Sequence, residues 1–157
     1  MESVKISDLH PTNIPKAVEL AEAANLSPWS EQGLAEHLSH PDSVSLQVES
    51  SEKFLAFLVA RFVPGSGYAP DAELLNIAVS GNERRKRFGQ MLMKEFMERC
   101  HDRSVETIWL EVRASNSIAI DFYRSFGFDA VQTRRNFYRE PTEDALVMRS
   151  NLKEKPV

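Results

Sequence analysis

Apolar positions along this chain recur with two periods, and the changes of period mark its elements. Val4 to Leu9 alternates apolar with polar residues and predicts a strand. Ile14, Ala17, Val18, Ala21 and Ala24 then share one helical face. They predict a helix to about Asn25, with Thr12 or Asn13 as its cap and Pro15 in its first turn. Ser30 can cap a short second helix, Glu31 to Ser39, which Gly33 weakens. Alternation returns from Ser43 to Glu49, Ser50-Ser51-Glu52 turns the chain, and Lys53 to Val63 is a long apolar run. Those two runs predict a hairpin, followed by a loop at Pro64-Gly65-Ser66-Gly67-Tyr68-Ala69-Pro70.

The densest signal runs from Ala72 to Cys100. Ala72 to Val79 reads as a buried strand, Ser80-Gly81-Asn82-Glu83 as a polar turn, and Arg84-Arg85-Lys86-Arg87 as a basic cluster ahead of Phe88 and Gly89. Apolar residues at 88, 91, 92, 96 and 97 then keep helical spacing to Cys100. A strand, a basic loop and a helix start suit an anion. The first N–H groups of a helix lack internal partners, the dipole adds positive charge there, and the arginines add whole charges. The same residues also fit a solvated basic turn before a surface helix.

Glu106 to Val112 predicts another buried strand. Asn116 can cap a helix from Ser117 to Phe126, with Ile118, Ile120, Phe122 and Phe126 as its apolar members and Gly127 as its stop. Phe128 to Thr133 and Thr142 to Asn151 predict two more strands, joined by a loop over 134–141. A single domain is expected over 1–152, with 153–157 as a loose charged tail. The order β-α-α-β-β-β-α-β-α-β-β has a central parallel crossover and hairpins at both ends. It predicts an α/β chain with a mixed sheet (α+β in character) and helices on both faces.

Composition narrows the functions. The chain has 157 residues, 42% of them hydrophobic, which suits one domain with a real core. A formal net charge of -4 leaves the basic residues locally concentrated and argues against bulk nucleic-acid binding. The single cysteine, Cys100, excludes a disulfide within the chain. No apolar run approaches the roughly 18 residues of a membrane helix. The first residues lack the build of a signal peptide, so a cytoplasmic protein with no membrane partner is expected.

Two residues stand out as candidate chemistry. Strand alternation sets Trp109, Glu111 and Arg113 on one face, with Leu110 and Val112 on the other. Glu111 is a carboxylate in an otherwise apolar strand, and burial would raise its pKa toward that of a general base. It fits equally a glutamate that pairs with Arg113 or another base, or faces solvent. Tyr123 lies in the next helix. A phenol with an ordinary pKa of about 10 suits protonation of a thiolate leaving group; the same residue could simply pack its ring. His37 and His40 sit three apart without a completing ligand set, so no metal is expected. Cys100 ends a helix with no obvious catalytic histidine or glycine-rich nucleophile turn to accompany it, and reads as a structural thiol.

Several stretches together resemble the GNAT superfamily of acyl-CoA-dependent N-acetyltransferases, and within it the bacterial ribosomal-protein-alanine N-acetyltransferases. They are Pro28-Trp29-Ser30, Asn76-Ile77-Ala78-Val79, the basic loop ending at Gly89, and Trp109-Leu110-Glu111-Val112-Arg113-Ala114-Ser115-Asn116. The last continues through Ala119-Ile120, Tyr123, Phe126-Gly127-Phe128 and Arg134-Arg135-Asn136-Phe137-Tyr138. The resemblance implies the GNAT fold, whose central strands splay, and acetyl-CoA as cosubstrate. Backbone groups of Ile77, Ala78 and Val79 would hold the pantetheine arm, with the Val79 N–H polarising the thioester carbonyl. The loop Arg85, Lys86, Arg87, Phe88, Gly89 and Gln90 would hold the pyrophosphate. Asn116 would touch the CoA arm. Glu111 matches the family's general base, and Tyr123 its general acid at the CoA sulfur. The implied substrate is the N-terminal alanine of the eighteenth small-subunit ribosomal protein, with Trp29 and Tyr138, the latter in a loop, along its path.

One position departs from the family pattern. Arg87 stands where the loop motif has its first glycine, which is used for close approach to phosphate and unusual dihedrals. CoA binding is expected to survive, in weakened form. Other readings are an acetyltransferase for lysine, a polyamine or a small amine, a non-catalytic acyl-CoA-binding module, and an RNA-binding module built on residues 84–87. Nothing in the pattern demands an oligomer.

Overall fold

The computed structural model describes residues 3–81 and 87–154. Its strands are β1 (Val4–Asp8), β2 (Ser43–Ser50), β3 (Lys53–Pro64), β4 (Pro70–Val79), β5 (Thr107–Arg113), β6 (Asp129–Tyr138) and β7 (Glu143–Asn151). Its α-helices are α1 (Ile14–Ala23), α2 (Glu31–Ser39), α3 (Phe88–Asp102) and α4 (Ser117–Arg124). The strands form a seven-stranded mixed sheet in the order β1-β2-β3-β4-β5-β7-β6. The chain packs as two units, residues 1–62 with 75–102 and residues 63–74 with 103–157, and β4 begins in the second and ends in the first.

In the first unit, β1 pairs antiparallel with β2, and β2 with β3. The predicted hairpin turn is present, with Ser51 and Glu52 both at positive φ, as a tight two-residue connection requires. α1 buries Ile14, Ala17 and Ala21. They join Leu9, Leu34, Phe57, Val59 and Ala78 in one apolar cluster. Ser30 caps α2 by accepting the Gly33 N–H at 2.9 Å. A Cβ at position 33 would come within 2.9 Å of that hydroxyl, so the glycine that weakens the helix on propensity makes room for its cap. α3 buries Phe88, Leu92, Met93, Phe96, Met97 and Cys100. Burial pushes the Cys100 thiol up to about 12, so it is inert and structural.

In the second unit, β4 and β5 run parallel, with Ala72 opposite Ile108 and Glu73 opposite Trp109. β7 pairs antiparallel with both β5 and β6. β6 differs from expectation. It continues to Tyr138, so Arg134 to Tyr138 belong to an exposed edge strand and not to a loop. Its register against β7 shifts between Arg134 and Tyr138, where Asn136 takes a φ of 53°. That irregularity lets an otherwise unpatterned polar stretch remain a strand. α4 is shorter than expected, and Ile118 is exposed, because it lies about 200° around the helix from buried Ile120. Leu152–Glu154 form a 3-10 turn, with Lys153 paired to Glu106, so that part of the expected tail is structured. No helix among the described residues is long and apolar enough to cross a membrane.

Candidate active site

The first unit carries the strand end and helix start expected to hold an acyl carrier. Along β4, Ala72, Leu74, Asn76 and Ala78 are buried and the residues between them half-buried. Ser80 donates its N–H to the Leu55 carbonyl of β3 at 2.8 Å. Backbone groups alternate sides along a strand, so the N–H and C=O of Ile77 and Val79 point to the other edge. Asn76 is 3% exposed, an amide set inside an apolar cluster. It is held there by the Trp29 indole N–H, which donates to its Oδ1. Trp29 also tilts against His37, whose ring centroid lies 5.4 Å away. His37 donates from Nε2 to the Ala60 carbonyl at 3.0 Å, and burial lowers its pKa, so it serves as a neutral structural donor.

Arg87 adopts φ 65°, the left-handed conformation that glycine takes at no steric cost. The arginine therefore replaces the motif glycine while keeping a glycine-like backbone, and it is exposed. α3 starts at the next residue. Met91 donates to the Arg87 carbonyl at 3.1 Å, and the N–H groups of Phe88, Gly89 and Gln90 ahead of it have no partner within the helix itself. Phe88 anchors that turn with its ring in the core. Arg85 and Lys86 lie outside the described residues.

The second unit brings together Glu111, Tyr123 and Tyr138. Glu111 is less buried than expected; its side chain is 33% exposed, because it lies on the face of β5 that alternates away from the core. It pairs with Arg134 Nη1 at 3.6 Å. Partial burial raises its pKa above the ordinary value, Arg134 opposes the rise, and Glu73 adds to it. Tyr123 is 9% exposed and packs edge-on against Phe122 and Phe128. The end of α4 fixes it. The Phe128 N–H reaches back to the Tyr123 carbonyl at 3.2 Å and the Gly127 N–H to that of Arg124 at 3.0 Å. With Gly127 at φ 88°, these are the paired bonds of a Schellman motif. Burial, with Tyr138 adding, holds the Tyr123 phenol well above its ordinary pKa. It is less matched to a thiol than an ordinary tyrosine, and it stays protonated as a donor. Burial likewise pushes Tyr138 up to about 12, with Glu111 adding to the rise and Arg113 opposing it.

Asn116 caps α4, its Oδ1 accepting the Ala119 N–H at 3.1 Å, which leaves its Nδ2 group to donate elsewhere. One further side chain, Glu143, supports this cluster and carries no sequence pattern that singles it out. Glu143 accepts the Ser115 N–H at 2.7 Å and meets Arg113 Nη1 at 3.4 Å. Hydrogen bonds from Ser115, and the Arg113 charge, hold its carboxyl below the usual range. Asn76, by contrast, has a visible signal: a polar residue on the inward face of an alternating strand.

The "Acetyltransferase (GNAT) family" model matches residues 14–128. The chain is 35% identical over 145 residues to the [ribosomal protein bS18]-alanine N-acetyltransferase of Escherichia coli strain K12, covering 91% of this chain and 94% of that protein. The crystal structure of the ribosomal-protein-S18-alanine N-acetyltransferase from Escherichia coli is similar, with a TM-score of 0.83 at 33% identity over 98% of this chain and 97% of that one. Arabidopsis thaliana NAA60, solved in complex with acetyl-CoA, shares the fold with a TM-score of 0.87 at 15% identity, over 96% of this chain and 99% of that one.

Proposed function

The chain belongs to the acetyltransferase (GNAT) family, and on that premise we propose that it acetylates the α-amino group of the N-terminal alanine of the eighteenth small-subunit ribosomal protein, with acetyl-CoA as the donor. The observation that carries the reading is a placement: Glu111 on β5, ion-paired with Arg134 at 3.6 Å, shares one unit with the buried phenol of Tyr123 and interacts electrostatically with Tyr138. A ribosomal substrate puts the reaction in the cytoplasm.

Bound acetyl-CoA supplies an acyl group activated as a thioester. The residues present suit it. The backbone edge at Ile77 and Val79 that faces away from β3, with Ala78 between them, would hold the pantetheine arm, and the Val79 N–H would stabilise the developing oxyanion. The first-turn N–H groups of Phe88, Gly89 and Gln90, with Arg85, Lys86 and Arg87, would hold the pyrophosphate. Asn116 would meet the arm through Nδ2.

Glu111 removes a proton from the incoming ammonium, directly or through a water. An α-amino group has a pKa near 8, about two units below lysine, so the base has a modest task. The neutral amine attacks the acyl carbon; the C–N bond forms as the C–S bond breaks, and no acyl-enzyme intervenes. Tyr123 gives its proton to the departing sulfur and regains one as the attacking nitrogen sheds its second proton to become the neutral amide. Trp29 and Tyr138 guide the peptide N-terminus.

Turnover as a function of peptide length tests the substrate class. Activity that needs several residues of the ribosomal N-terminus supports the reading. Equal turnover of alanine amide, lysine or a polyamine would move it to a small-amine acetyltransferase.

A further inference from the structure

Arg113 has no role in the chemistry above, yet it sits where several elements join. It follows Glu111 by two residues on the same face of β5. Its guanidinium carbon lies 4.4 Å from the centroid of the Tyr138 ring. Its Nη1 donates to the Pro141 carbonyl at 3.3 Å and to Glu143 Oε1 at 3.4 Å. The other oxygen of Glu143 accepts the Ser115 N–H at 2.7 Å. Ser115 immediately precedes Asn116, the cap of the helix that carries Tyr123. Glu143 is also the cross-strand partner of Tyr138. One ion pair therefore ties the end of β5, the entry to α4 and the end of β6.

Stability alone is a weak reason for such a pair. The Arg113 and Glu143 side chains are only 16% and 19% exposed, so much of their attraction is offset by lost hydration. Arg113 Nε is buried and makes no hydrogen bond among the described residues. What the arrangement does secure is position. A cation over a ring face restrains the ring. The flat guanidinium can stack and fork at once, which a lysine ammonium cannot.

We propose that Arg113 is a positioning residue for the peptide substrate: stacked on Tyr138 and paired with Glu143, it holds the Tyr138 ring in place to receive the substrate's N-terminal residue. It thereby sets affinity for the peptide and not for the acyl donor. This rests on the transferase reading above.

Steady-state kinetics with an alanine-starting ribosomal peptide and acetyl-CoA test it, in the parent and in Arg113→Met, Arg113→Lys, Tyr138→Leu and the Arg113→Met/Tyr138→Leu double variant. Loss of one stacked, ion-paired guanidinium is expected to raise the peptide KM about tenfold, with the acetyl-CoA KM unchanged. Arg113→Lys restores little of it. In the Tyr138→Leu background Arg113→Met adds less than about twofold, since coupled residues are not additive. Equal rises in both KM values, or effects of the two substitutions that multiply, overturn the inference alone. If Arg113→Met does not fold, Glu143→Gln is read by the same split of KM values. A parent protein that leaves the peptide unacetylated overturns the transferase reading, and this inference with it.

Discussion

The Glu111 carboxylate and the Arg134 guanidinium stand 3.6 Å apart, an acid and a base from strands separated in the sheet by β7. Arg134 holds down the pKa of Glu111, which burial and Glu73 raise. Removing the cation lets the pKa rise further, so less of the base is ionised at a given pH. Arg134→Gln is expected to move the acidic limb of the kcat/KM profile to higher pH. The pair is about half exposed and worth roughly 0.2–1 kcal/mol, so the loss at pH about 6 is about 1.5- to 5-fold and vanishes in alkali. Glu111→Gln should abolish that limb and cost about 10²- to 10⁴-fold. A limb that stays in place in Arg134→Gln would count against Glu111 as the titrating base.

Tyr123→Phe keeps the ring that packs against Phe122 and Phe128 and removes only the hydroxyl. Turnover is expected to fall by about 10²-fold or more, with acetyl-CoA affinity by calorimetry nearly intact. Unchanged turnover would reject the acid role.

Arg87 holds a left-handed backbone that costs a residue with a side chain roughly 1–2 kcal/mol. Glycine removes that strain but loses more entropy on folding, about 0.5–1 kcal/mol. Arg87→Gly should therefore raise the melting temperature by about 1–4 °C, while Arg87→Ala, equally strained, should not. Thermal unfolding of the three proteins decides it; a lower melting temperature for Arg87→Gly would show the strain to be compensated by the arginine side chain.

Trp29→Phe leaves an aromatic ring beside His37 but strands the buried Asn76 oxygen. An unsatisfied buried acceptor costs about 1–3 kcal/mol. Denaturant unfolding should show that loss in Trp29→Phe and much less of it in Trp29→Phe with Asn76→Leu. Equal losses in both would place the cost in lost indole packing.

Local signals were legible where chemistry and period agree. Ser30 and Asn116 cap the helices they were expected to cap, and the alternation in β5 sets Glu111 and Arg113 on one face. The family's fold was legible from the run between Trp109 and Tyr138. Contacts between distant segments were not. Nothing in the pattern says that Glu111 meets Arg134, or that Glu143 joins Ser115 to Arg113, because both depend on how β6 and β7 register. The same register explains the misjudged end of β6: exposed on nearly every residue, it lacks the apolar alternation by which a strand is recognised. The extent of Glu111 burial escaped for a related reason, since apolar neighbours in sequence lie on the opposite face.

Mass spectrometry of two peptides incubated with the protein and acetyl-CoA tests the central claim most directly. One carries the ribosomal protein's alanine N-terminus; the other has that amine blocked and an internal lysine free. The account predicts a single acetyl group on the alanine nitrogen of the first and none on the second. Acetylation of the lysine, or of neither peptide while acetyl-CoA still binds, would contradict it.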